Sequence, residues 1–147
     1  MMLLRRILTI LALLATLSGA IARDAAACSC VERSLDQRIA EADRIVLARV
    51  LSATYHPQEE PFLEIRTNYQ VLEVLKGAAS PDSGVVTEPI WGPGSCSMPL
   101  LPGHQYVLFL SDPPLVTICS GAFIFVPGNR PSEESLKELR DRLNARK

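Results

Sequence analysis

Four cysteines constrain this 147-residue chain more than any other feature: Cys28, Cys30, Cys96 and Cys119. All four follow what reads as an export leader. Arg5 and Arg6 supply a positive n-region, Ile7 through Ala22 form an uncharged apolar run, and small residues suited to a signal peptidase come next. The run is shorter than the roughly 20 residues a membrane span needs, and it gives way to Arg23 and Asp24. No second stretch of spanning length occurs, so the mature form is expected to be secreted, extracellular or periplasmic, with no membrane span. The strongly apolar h-region fits ordinary secretion better than a twin-arginine signal.

Two A-x-A sites compete for cleavage. Ala20-Ile21-Ala22 would release a product beginning at Arg23, and Ala25-Ala26-Ala27 one beginning at Cys28. The domain division adopted is a signal peptide over 1–27 and one domain over 28–147, with cleavage after Ala22 as the alternative. Lipoprotein anchoring through Cys28 ranks below both. It calls for a larger aliphatic residue where Ala25 stands, and Arg23-Asp24 interrupts the approach to the cysteine. Without its leader the chain has about 120 residues, enough for one modest core. Its formal net charge becomes about −3, which offers no basic stripe for nucleic acid.

An even number of cysteines in an oxidising compartment reads as two disulfides. A Cys28–Cys30 bridge would close a strained ring around one residue, which leaves two pairings open. A four-thiolate zinc site is the competing use of these residues. Such sites are usually built from closely spaced pairs, and Cys96 and Cys119 are not so paired.

Between the cysteines the chain alternates strand and turn signals. Ser34-x-x-Gln37 is a capping box opening a short helix with Leu35, Ile39 and Ala42 on one face. Arg44 to Ser52 carries apolar residues at both parities, as a strand covered on both sides would. His56 to Pro61 reads as a hairpin loop, and Glu64 to Lys76 as a strand with a β-bulge near Leu72-Glu73. Further strands are expected over Val85–Ile90, His104–Leu110 and Leu115–Cys119, and Phe123–Val126 is a last short apolar segment. Pro131-Ser132-Glu133-Glu134 starts a terminal helix with acids in its first turn and an apolar stripe of Leu136, Leu139 and Leu143. The expected fold class is mainly β: a five-stranded OB-fold barrel, closed so that it has no exposed edges, with a short N-terminal and a C-terminal helix.

From Cys28 onward the sequence resembles the N-terminal domain of the tissue inhibitors of metalloproteinases (TIMPs) and the wider netrin-like module. The likeness runs through Cys28-Ser29-Cys30, Ala42 to Val50, Tyr69-x-Val71-x-x-Val74-Leu75-Lys76-Gly77, Gly94-Ser95-Cys96, Tyr106 to Leu110 and Thr117-Ile118-Cys119-Ser120, in that order. It spans roughly residues 28–126. The resemblance implies the pairing Cys28–Cys96 with Cys30–Cys119. Two departures stand out. Ala40 occupies the place of the first cysteine of the family's third disulfide, and no cysteine-rich subdomain is expected after the terminal helix.

The resemblance also implies a mechanism. The amino nitrogen and carbonyl oxygen of an N-terminal Cys28 would chelate the catalytic zinc of a target metalloendopeptidase. Cys28 is therefore the one metal-binding residue expected, and only towards a metal held in trans. Zinc with three protein ligands keeps an open position, and an α-amine with a pKa near 7.7–8.0 is partly neutral at pH 7. Ser29 would point into the protease's specificity pocket. The implied protease-binding ridge is Cys28, Ser29, Cys30, Val31 and Glu32, flanked by Ser95, Cys96 and Ser97. The other reading keeps the stapled fold but makes it a non-inhibitory interaction module for another extracellular protein.

An enzyme is not expected. His56 and His104 stand in no motif with a nucleophile or metal ligands. The acids Glu59, Glu60, Glu133 and Glu134 read as loop solvation and helix capping, and no nucleophile elbow, HExxH or phosphate loop occurs. Trp91, the single tryptophan, lies beside the implied ridge as a partner contact or a lid on the barrel end. No cofactor is expected, and the domain is expected to be monomeric.

Overall fold

The computed structural model describes residues 30–57, 63–78, 82–90 and 96–146. Residues 1–29, which include Cys28 and Ser29, and residues 58–62, 79–81, 91–95 and 147 lie outside the described residues. Five strands form one antiparallel sheet: β1 (Arg44–Pro57), β2 (Leu63–Lys76), β3 (Ser83–Ile90), β4 (Gln105–Leu110) and β5 (Phe123–Phe125). Two helices flank them, α1 (Leu35–Glu41) and α2 (Arg130–Asn144).

The spatial order is β3-β2-β1-β4-β5. The sheet is not closed. Between its outer strands and the segments beside them, one isolated parallel bridge links Thr87 of β3 to Leu115, ahead of β5.

The first part of β1, Ile45 to Ala48, is buried on both faces, as its apolar residues at both parities require. Ile45 and Leu47 join Val107, Phe109 and Phe125 under the helices, where Ile39, Leu136, Leu139 and Leu143 complete one cluster. Val46, Ala48 and Val50 face the other way, with Tyr69, Val86, Tyr106, Leu108, Leu100 and Val116. The segment after Cys96 covers this second face, which has no helix.

Three register shifts interrupt the β1–β2 ladder. β2 carries an extra residue at Leu72 and again at Leu75, and β1 one at Leu51. The expected bulge near Leu72-Glu73 is thus one of three. Each extra residue strengthens the local twist, so the ribbon bends around the second core.

Both helices start as their sequences specify. Ser34 Oγ accepts from the Gln37 N–H while Gln37 Oε1 accepts from the Ser34 N–H, a complete capping box. α2 is capped by Asn129, whose side chain accepts from the Ser132 N–H, with Pro131 in its first turn.

The strand bounds differ from expectation at several ends, and one expected strand is absent. β1 runs on through His56 to Pro57 rather than ending at Ser52, and β4 begins at Gln105. Leu115 to Cys119 does not form a strand: it makes two single bridges, Leu115 with Thr87 and Thr117 with Ser97. Thr117 is the reason. Its hydroxyl accepts from the Cys119 N–H, and its carbonyl accepts from both the Ser120 N–H and the Ser120 hydroxyl. Side-chain and turn bonds of this kind take the place of a ladder.

Candidate functional site

The site is built on the turn that replaces that strand. Cys119 is joined to Cys30 in a disulfide with a Cα–Cα distance of 5.3 Å, across 89 positions of sequence. One residue earlier, the Ile118 N–H donates to the Cys96 carbonyl at 2.9 Å, and Thr117 bridges to Ser97. Three consecutive residues, Thr117 to Cys119, therefore fasten two stretches that lie more than 60 positions apart. One is the Cys30-Val31-Glu32 arm and the other is Cys96-Ser97. Because Cys30 and Cys119 are covalently joined, neither is a thiolate ligand, and the four-thiolate zinc alternative fails.

Cys96 is also held in a disulfide. Cys28, Ser29 and Ser95 lie outside the described residues, so the expected Cys28–Cys96 pairing and the position of Ser29 are not described. Of the remaining ridge residues, Cys30, Val31 and Glu32 are exposed, and Cys96 and Ser97 are half-buried. Val31 is 80% exposed, far more than a valine with a packing role would be.

Beside the arm runs a shallow groove of about 200 Å³, lined by Val31, Glu32, Arg33, Arg38, Ile118 and Gly121 together with the disulfide. Arg38 is one of its lining residues. Its Nε donates to the Arg33 carbonyl at 3.2 Å, and its stem lies so close to Gly121 that a Cβ there would collide with Arg38 Cδ. Gly121 also has a φ of +81°, so a side chain is disfavoured twice over. Arg33 is paired with Glu41 at 2.6 Å. Ile118, about half exposed, is the second apolar surface of the groove.

Sequence reasoning did not single out Ile118, Arg38 or Gly121. Ile118 enters only as part of the Thr117-Ile118-Cys119-Ser120 likeness and of the expected Leu115–Cys119 strand, and nothing local links Arg38 to Gly121.

None of the described histidines and acids set aside as non-catalytic lines this groove. His56 is half-buried near the end of β1, and His104 is exposed with Nδ1 3.3 Å from the Pro102 carbonyl. Glu133 Oε1 accepts from the Gly128 N–H, and Glu134 pairs with Arg130. Glu59, Glu60 and Trp91 lie outside the described residues. Among the described residues, no helix is long and apolar enough to cross a membrane.

No known protein family's sequence model matches this chain, and no curated protein is a significant relative of it.

One buried residue carries no signal in the sequence at all. Glu88, on β3, is 1% exposed on the second core face. Its Oε1 accepts from the Thr67 hydroxyl at 2.5 Å and its Oε2 from the Leu100 N–H at 3.2 Å. Burial pushes its carboxyl above the usual glutamate range, against the opposing pull of those two bonds.

Proposed function

We propose that this chain is an exported inhibitor of zinc endopeptidases, acting through Cys28 once cleavage after Ala27 frees its amine. One observation carries the reading. The arm continuing from Cys28 and the Cys96-Ser97 stretch are fastened to the same three residues, Thr117 to Cys119, while Val31 stays open to solvent. A terminus held this way loses little conformational freedom on docking. The amine and carbonyl of Cys28 would take the open coordination position of the target's zinc, and Ser29 the neighbouring pocket. The groove beside Val31 and Ile118 would receive the partner's surface.

The same proposal takes the sheet as a five-stranded OB-fold barrel of the TIMP and netrin-like kind. The order β3-β2-β1-β4-β5 suits such a barrel opened between β3 and β5, and the Thr87–Leu115 bridge joins β3 to the segment ahead of β5. Export is supported by the leader and by the Cys30–Cys119 disulfide, which belongs to an oxidising compartment.

N-terminal sequencing and intact mass of the secreted protein test the mechanism. A free Cys28 amine is expected, with inhibition of a zinc endopeptidase that disappears when one alanine is added ahead of Cys28. A start at Arg23, or an acylated Cys28, would rule chelation out. The exposed Val31–Ile118 surface would then serve a non-inhibitory interaction module, since it needs no free amine.

A further inference from the structure

Glu88 lies at the junction between the sheet and the segment that follows Cys96. Through Thr67 it bonds to β2, and through the Leu100 N–H it holds a backbone only four residues past Cys96. Leu100 is itself buried and covers the second core face. The apolar cluster on that face consists of aliphatic side chains and two tyrosines, and Thr67 is the other buried polar residue among the described residues.

Among the described residues, the surroundings offer Glu88 no cation. Across the ladder its register partner on β2 is Ile65, and Glu64 and Arg66 belong to the opposite parity, where they pair with each other at 2.6 Å. The segment Met98 to Leu100 brings no titratable group, nor does Val116. From β4 comes Tyr106, whose hydroxyl accepts from the Leu101 N–H. From β2 comes Tyr69, whose hydroxyl accepts from Arg44, the charged side chain at the far end of this face. A carboxylate there has two donors and no opposite charge, an arrangement costly to ionise in a dry setting.

We infer that Glu88 is a proton-operated latch, closing the Cys96–Leu100 segment onto the sheet when protonated and loosening it when ionised. In the neutral form the carboxylic O–H donates to Thr67 Oγ1 while the other oxygen still accepts from Leu100 N–H, so the seated segment leaves no ion buried. In the ionised form the charge is relieved by water, which reaches Glu88 only if Leu100 lifts. The raised carboxyl agrees in sign. Its folded-state pKa lies above the unfolded value, so the fold takes up a proton and gains stability as pH falls through the interval between them. Stability is lost as pH rises across that same interval and is level above it. The latch is independent of zinc chelation and would operate in either form of the mature chain.

The test is amide exchange by NMR from pH 4 to 8, corrected for intrinsic rates, alongside the carboxyl-carbon shift of Glu88 in the same samples. In the wild type, Leu100 protection should fall as pH rises towards the Glu88 midpoint, by at most about tenfold per pH unit for one proton, and level off above that midpoint. Glu88→Gln keeps one acceptor for Leu100 N–H and one donor for Thr67, and should flatten the dependence. Thr67→Val removes a bond that favours the ionised form, and should move the midpoint to higher pH. A Glu88 that titrates like an exposed glutamate, or a Leu100 amide whose protection does not follow it, would overturn the latch.

Discussion

The ammonium of Lys76, the last residue of β2, donates to the carbonyl of Ala42 at 2.5 Å, closing the end of α1 from 34 positions away. It also donates to the Ile39 carbonyl at 2.7 Å. Cations suit a helix C-terminus, where carbonyls lack intrahelical partners. Gly77 completes the arrangement: its φ is +96°, and a Cβ there would lie 3.0 Å from the Asp43 carbonyl oxygen. The Lys-Gly pair that carried part of the family resemblance thus has a structural role in this chain. Lys76→Met keeps the stem and removes both bonds. Stability should fall by about 1.5–3 kcal/mol, the usual worth of hydrogen bonds to a charged group, read from urea midpoints.

Gly84 sits opposite Tyr69 in the β2–β3 ladder, and a Cβ on it would collide with the tyrosine hydroxyl. Tyr69 cannot yield, being 1% exposed and bonded to Arg44 at 2.7 Å. Gly84→Ala should therefore cost about 1–3 kcal/mol as overpacking. A lowered melting temperature with altered tyrosine near-ultraviolet dichroism is the expected result.

Asp36, in the first turn of α1, meets Arg146 at 2.6 Å and Arg142 at 2.7 Å, tying the two helices together. The Arg146 bond, then the charges of both arginines, hold its carboxyl below the ordinary aspartate value. Its stabilising effect is thus fully present above the unfolded pKa and lost as pH falls through the lower folded one. Asp36→Asn should flatten the melting temperature across that acid interval, and molar salt should shrink the difference from wild type because these groups are exposed.

Replacing Cys30 and Cys119 together by serine frees the arm that begins at Cys30. The chain-entropy model assigns about 4–5 kcal/mol to a loop of this length. That figure is a ceiling, because a second disulfide through Cys96 already restricts the unfolded chain. Denaturant unfolding should show a large loss of stability. On the proposed function, inhibition should fall more than stability alone explains, when measured well below the unfolding midpoint.

Features set by neighbours along the chain are legible in the amino-acid sequence by itself. The Ser34–Gln37 capping box, the Leu136-Leu139-Leu143 stripe and the two-sided burial of β1 each follow from a period or a cap spanning a few residues. The bulge at Leu72 is legible too, because Val71 and Val74 cannot face one side of an unbroken strand. Other features depend on residues that meet only after folding. Thr117 spends its hydroxyl and carbonyl on a turn, so a β-rich run becomes an anchor for Cys30 and Cys96. Arg38 lies over Gly121, and Glu88 is buried where the Thr67 hydroxyl and the Leu100 N–H meet it. Local periodicity encodes which face of an element is apolar. It does not encode which distant backbone will meet a given side chain, and tertiary packing alone decided how the arm from Cys30 and the stretch at Cys96 came together.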